Sequence, residues 1–344
     1  MANSPDSFLQ VRVSESQRKA SHYMVQQMEH SAHKESIDEY QLDQLEHLLS
    51  VEISTLPCLA LIEQQPEIRL SMRPLLLDFL LEVITILNLS RSTFPFTVNL
   101  IDRYCSTRII KKQHYQLLGL TCLWICCKNL DSKHKVPSLD DLSKICVGGY
   151  SKGLFMEMEK HILKSLDWVV YSPTCDSFVD LFLNLLTSLD DTNAQIIKTS
   201  YHKIKVSAYY LGELFQFYPN IYFDYTSSQV AILATMSSIS QLKLPINLMY
   251  ILQFYNFYST APLSIESFQQ VFRNIRFLSV PNSLQKKYSH QPIHQRNMPR
   301  TPRMAMPRTP GPSPLGNPER KRREELESQS IVVKRRRSCI EEIE

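Results

Sequence analysis

Glycine is scarce, with seven in 344 residues, which excludes a turn-rich β protein and the Gly-rich loops that cradle phosphates. The sequence has no Gly-Lys-Ser/Thr loop, no His-Glu-x-x-His and no Gly-x-Ser-x-Gly, and its ten histidines are dispersed without paired-ligand spacing. Those absences leave no support for an enzyme, so neither a catalytic residue, a metal nor a cofactor is expected. The start, Met-Ala-Asn-Ser-Pro-Asp, lacks a basic region followed by an apolar core, so no secretory signal is expected. Cys105, Cys122, Cys126, Cys127 and Cys146 lie in apolar helical surroundings without zinc-site spacing. They read as buried reduced thiols, which implies a reducing intracellular compartment. The apolar stretch from Ser71 to Leu87 carries Asp78 and Glu82 and is shorter than the ~20 residues a membrane span needs, so no membrane partner is expected.

Basic charge is missing from most of the chain. Residues 281 to 344 hold 14 Lys/Arg against 7 Asp/Glu, whereas the preceding residues hold 24 against 27. A folded body of that balance offers no concentrated cationic surface, and direct nucleic-acid binding is not expected of it.

What the chain does have is amphipathic helix. Leu75, Leu76, Phe79, Leu80, Val83, Ile84 and Leu87 recur at helical spacing, interrupted by Arg73, Asp78 and Glu82, charges that need partners. Ile37 to Leu49 predicts a packing helix ahead of it. Behind it come a helix after Ser90 or Ser92, an almost wholly apolar one from about Lys112 to Leu130, a short one from Ser138 to about Val147, and a fifth opening at Ser151. The third of these five is expected to be the most buried. A second group of five is predicted near 175–187, 193–215, 227–241, 245–257 and 264–278. Beyond Leu278 the composition changes: nine of the 19 prolines fall between Pro281 and Pro318, with Tyr288 the only aromatic. Such a segment buries too little to offset its ordering entropy. The organisation expected is all-α: a flexible lead-in over 1–36, a first helical domain over 37–170, a second over 171–280, and a disordered Pro-rich basic tail over 281–344.

The first five-helix unit resembles the cyclin box. The residues that carry the resemblance are Met72-Arg73-Pro74-Leu75-Leu76-Leu77-Asp78-Phe79-Leu80-Leu81-Glu82-Val83 in its first helix and Asn99-Leu100-Ile101-Asp102-Arg103-Tyr104 in its second. Lys128 at the end of the third and Met158 to Trp168 in the fifth complete it. The wording Tyr40 to Leu45, Leu87 to Ser90 and Leu130 to Lys133 is most similar to the G1 cyclins of budding and related yeasts. The resemblance implies two tandem cyclin-box units and a non-catalytic subunit that binds and activates a cyclin-dependent kinase at the G1/S transition. The competing reading of the same fold is a transcription factor or the partner of a transcription kinase.

The resemblance implies that Lys128 and Glu159 contact the kinase, with Trp168 and Val170 on the same edge. For Trp168, ordinary core packing is an equal alternative. Arg73 and Asp102 correspond to an ion pair that fixes how the first two helices pack. Met72, Leu76 and Phe79 match positions where many cyclins dock substrate peptides, but Pro74 and Phe79 depart from the usual pattern, and core packing is the stronger reading of Leu76 and Phe79.

In the tail, Thr301, Thr309 and Ser313 each precede proline and are minimal sites for a proline-directed kinase; added phosphate there could recruit a ubiquitin ligase or alter import. Arg320, Lys321, Arg322 and Arg323 are separated by ten residues from Lys334, Arg335, Arg336 and Arg337. That spacing suits a bipartite signal read by a nuclear import receptor, so nucleus and cytoplasm are the expected locations.

Overall fold

The computed structural model describes residues 22–29, 39–146, 149–189 and 191–289. Thr301, Thr309, Ser313 and both basic clusters lie outside the described residues. The chain divides into two units, 1–47 and 48–344. In the first, residues 22–29 are helical and exposed. Helix α1 (Gln41–Ser54) begins there and ends in the second unit. By composition residues 41–62 are apolar enough to cross a membrane, but the helix stops at Ser54 and residues 55–58, with Pro57, break the run.

Among the described residues every regular element is helical. In the second unit α2 (Arg73–Ile86), α3 (Thr93–Thr107), α4 (Tyr115–Leu130), α5 (Leu139–Ile145) and α6 (Lys152–Ser165) form a first five-helix group. A second follows as α7 (Cys175–Thr187), α8 (Thr192–Phe215), α9 (Ser227–Gln241), α10 (Leu248–Tyr258) and α11 (Ile265–Ile275). A last short helix, α12, spans Asn282–Tyr288.

Pro74 sits in the first turn of α2, where its missing N–H costs nothing. Leu76, Leu77, Leu80, Leu81, Val83 and Ile84 form the buried stripe. The helix ends because Asn88 turns left-handed at φ 49° and Leu89 N–H bonds back to Ile84 C=O at 3.1 Å. α3, and not α4, is the most completely buried helix: every residue from Thr93 to Cys105 is inside. It lies between the two groups, with Phe94 stacked on Phe217 at 5.7 Å, whereas α4 leaves Lys128 and Asn129 at the surface. The buried cysteines are free thiols, and burial raises Cys126 and Cys146 to about 12, so they are inert packing groups.

In the second group α9 is the central rod, buried at Ala231, Ala234, Ser237 and Ser238, small residues that let α7 and α8 approach. Its N-terminus is capped twice. Thr226 and Gln229 form a capping box, and Glu52 of α1 accepts from both the backbone N–H and the hydroxyl of Ser228 at 2.7 Å.

The expectation that order ends at 280 is corrected by α12. Leu284 and Tyr288, one turn apart, are fully buried, and the charges around them are paired. That anchoring offsets the ordering entropy for this one segment.

Burial holds Glu52 above the usual carboxylate range despite its bonds to Ser228. A carboxyl raised in the fold takes up a proton more readily folded than unfolded, so it makes stability fall as pH rises through the window above the ordinary value of 4.5. In urea titrations across that window, Glu52→Gln should flatten the decline. An unchanged pH profile would show that Glu52 does not contribute it.

Candidate functional site

Arg73 leaves α2 at its first residue and points inward, 2% exposed. Its Nε lies 3.0 and 3.2 Å from the two carboxylate oxygens of Asp102 on α3, and Nη2 is 2.8 Å from Oδ2. The remaining nitrogen, Nη1, donates to the carbonyl of Gln216 at the end of α8. The guanidinium also lies 4.5 Å from the ring centre of Tyr222 and 5.2 Å from that of Phe223. Burial opposes the charge, but the Asp102 carboxylate outweighs it and Arg73 stays above its ordinary pKa. The resemblance to the cyclin box implied the Arg73–Asp102 pair; the second-group carbonyl and rings, which lie more than 140 residues away in the chain, were missed.

Lys128 closes α4 and Glu159 sits midway along α6, and their charged ends pair directly. Side-chain exposures of 36% and 19% leave the pair reachable from solvent. The ammonium rests 3.5 Å from the ring centre of Trp124, one turn back on α4, and the Trp124 indole N–H donates to Pro137 C=O at 3.1 Å. A bare surface ion pair contributes about 0–1 kcal/mol; an indole held by its own hydrogen bond gives this one a fixed seat. Sequence reasoning did not single out Trp124; its place four residues before Lys128 on a helix is the signal that points to this contact.

Past α6 the chain takes a strained path. Asp167 and Trp168 are both left-handed, at φ 48° and 62°, and Trp168 N–H caps the helix on Leu163 C=O at 2.9 Å. The Trp168 side chain is 68% exposed, so core packing is not its role. Val170 is half-buried beside exposed Val169 and Tyr171. Met156 on α6 is exposed as well.

Met72, Leu76 and Phe79 do not form an open apolar strip. Leu76 is buried against Gly119, where a Cβ would fall 2.9 Å from a Leu76 methyl, so a larger residue there would push the Leu76 side chain aside. Met72 and Phe79 are half-buried. Among the described residues no group of His, Cys, Asp and Glu is arranged to hold a metal.

Residues 43–171 match the family model for the cyclin N-terminal domain. Over 313 residues the chain is 59% identical to the G1/S-specific cyclin CLN2 of Candida albicans, covering 83% of this chain and 67% of that protein. The chain belongs to the cyclin family. A second relative, the G1/S-specific cyclin CCN1 of Candida albicans, is 36% identical over 237 residues, 66% of this cyclin and 34% of CCN1. The viral cyclin of herpesvirus saimiri shares the fold at a TM-score of 0.52 and 18% identity, over 74% of this cyclin and 97% of the viral one. Within the family this cyclin is of the yeast G1/S type.

Removing the Arg73 side chain leaves Asp102 buried and unpaired, which costs about 3–5 kcal/mol. Arg73→Ala should lower the urea midpoint accordingly. Arg73→Lys should rescue little of it, because an ammonium cannot engage Asp102 and the Gln216 carbonyl together. A wild-type midpoint for Arg73→Ala would refute the pair's structural role.

Proposed function

We propose that this cyclin is a non-catalytic subunit that binds a cyclin-dependent protein kinase and activates it to promote the G1/S transition. The observation that carries the reading is the Lys128–Glu159 pair seated on Trp124, formed between α4 and α6, with exposed Trp168 just past the end of α6. A protein kinase is switched on when a helix-borne glutamate is held inward to pair with the lysine that positions the ATP phosphates. A rigid surface that fits only the inward helix position shifts the kinase to its active form through differential affinity alone. Lys128 and Glu159 supply charge of both signs to that contact, and Trp168 with Val170 supplies apolar area.

The same reading extends to the tail. Thr301, Thr309 and Ser313 are proposed substrates of a proline-directed kinase, and the clusters Arg320 to Arg323 and Lys334 to Arg337 a proposed import signal that distributes the protein between nucleus and cytoplasm.

Pull-down with a purified cyclin-dependent kinase, followed by a phosphorylation assay, tests the proposal. Wild type should bind and raise kinase activity; Lys128→Ala and Glu159→Ala should each weaken binding by about tenfold or more, as for anchors of a buried contact. No measurable binding by wild type would sink it. Trp168 separates function from stability. Trp168→Gly should gain up to about 1 kcal/mol in folding stability by relieving the left-handed strain while losing kinase affinity. Loss of both together would assign Trp168 to the fold.

A further inference from the structure

The joint between the two five-helix groups holds a small cavity whose lining includes Glu52, Thr55, Asn99, Ser172, Gln216 and Tyr222. Asn99 on α3 is 9% exposed, and Gln216, which closes α8, is 5% exposed. The Asn99 amide is oriented by its nitrogen, which donates to the Thr55 carbonyl at 3.1 Å and leaves Oδ1 as the free end. That oxygen and Oε1 of Gln216 are both buried and have no hydrogen-bond partner. The donors beside them are committed. Thr55 Oγ1 bonds Val51 C=O at 2.9 Å, Ser172 bonds Thr55 Oγ1 at 2.9 Å, Tyr222 reaches Asp102, and Arg73 Nη1 holds the backbone carbonyl of Gln216.

A buried acceptor left unpaired gives up its hydration without return, so two that line one space call for a donor there. Size decides which. The room open to the centre of a water molecule is about 20 Å³, against the roughly 10–15 Å³ that one water needs, so a single water fits and a multi-atom ligand does not. Charge decides against a small cation. The Arg73 guanidinium lies 4.5 Å from the ring centre of Tyr222, and Arg103, one turn beyond Asn99 on α3, is 8% exposed with no acidic partner among the described residues. Glu52 is the one carboxylate in the lining, and both of its oxygens accept from Ser228. Two guanidiniums at this joint, one of them unneutralised, repel a further positive charge.

We propose that a single bound water is a structural ligand of this joint, donating one hydrogen to Asn99 Oδ1 of the first group and the other to Gln216 Oε1 of the second. Gln216 is then tied to the first group twice, its carbonyl directly by Arg73 and its side chain through the water. A water-mediated bond is nearly as favourable in enthalpy as a direct one, so the bridge adds to the hold of the guanidinium.

Oxygen-17 relaxation dispersion of the solvent, measured on the full chain, counts the waters held inside the protein. Gln216→Met, which keeps the length of the side chain and removes its amide, should lower the count by about one. Asn99→Leu should do the same, and the double variant should lose no more than either single one, because both groups hold the same molecule. An unchanged count in the single variants, or a further loss in the double one, overturns the proposal. So does a wild-type count that drops when ammonium chloride replaces sodium chloride, which would assign the site to a cation. A high-resolution crystal structure of the wild-type chain serves if the variants do not fold. A water within about 3.2 Å of both oxygens is expected, and Arg103 bonded directly to Asn99 Oδ1 in its place overturns the assignment.

Discussion

The guanidinium of Arg73 is the point on which the fold turns. It is buried at the first residue of α2, takes both oxygens of Asp102 from α3 and donates from Nη1 to the Gln216 carbonyl at the end of α8. A buried ion pair is weak grounds for net stability, since desolvation cancels much of the attraction. Its value here is geometric. The planar fork of an arginine can satisfy these three acceptor oxygens only in one arrangement, so the angle of α2 on α3 and the seat of the second five-helix group are set together. Phe94 on Phe217 and Glu52 on Ser228 then hold the same joint with apolar area and a helix cap.

That joint explains how a distant surface is held still. α4 packs on α3, and α6 packs on α4, so the Lys128–Glu159 pair inherits its position from helices fixed at their other ends. Trp124 removes the remaining freedom of the lysine by placing an indole beneath it. On the opposite side of α2, Asp78 and Glu82 are engaged by Ser283 and Lys286 of α12, so this helix carries contacts on both sides.

The helical frame was legible because its signals are long and redundant. Thr226 with Gln229 announces the start of α9, Pro74 fits only the first turn of α2, and the apolar stripes between Ser71 and Leu87 leave one choice of buried face. Resemblance to cyclins singled out Lys128 and Glu159 as kinase contacts, but their pairing with each other was not legible, since nothing in spacing joins residues 31 apart. What stayed hidden was either short or non-local. α12 offers only Leu284 and Tyr288 as apolar marks within a Pro-rich context, and its order comes from groups on α2 and α8 about 200 and 70 residues earlier in the chain. The outward turn of Trp168 rests on two left-handed residues that are not glycine, a conformation that sequence preference argues against. The greater burial of α3 over α4 follows from contact with the second group, which the pattern of one helix cannot report.

The central claim is that Lys128 and Glu159 act as one preformed unit toward a kinase. A double-mutant cycle on kinase affinity, with Lys128→Ala, Glu159→Ala and the double variant, measures that most directly. The account predicts strong non-additivity, the double variant losing little more than either single one. Fully additive losses, or none in any variant, would contradict it.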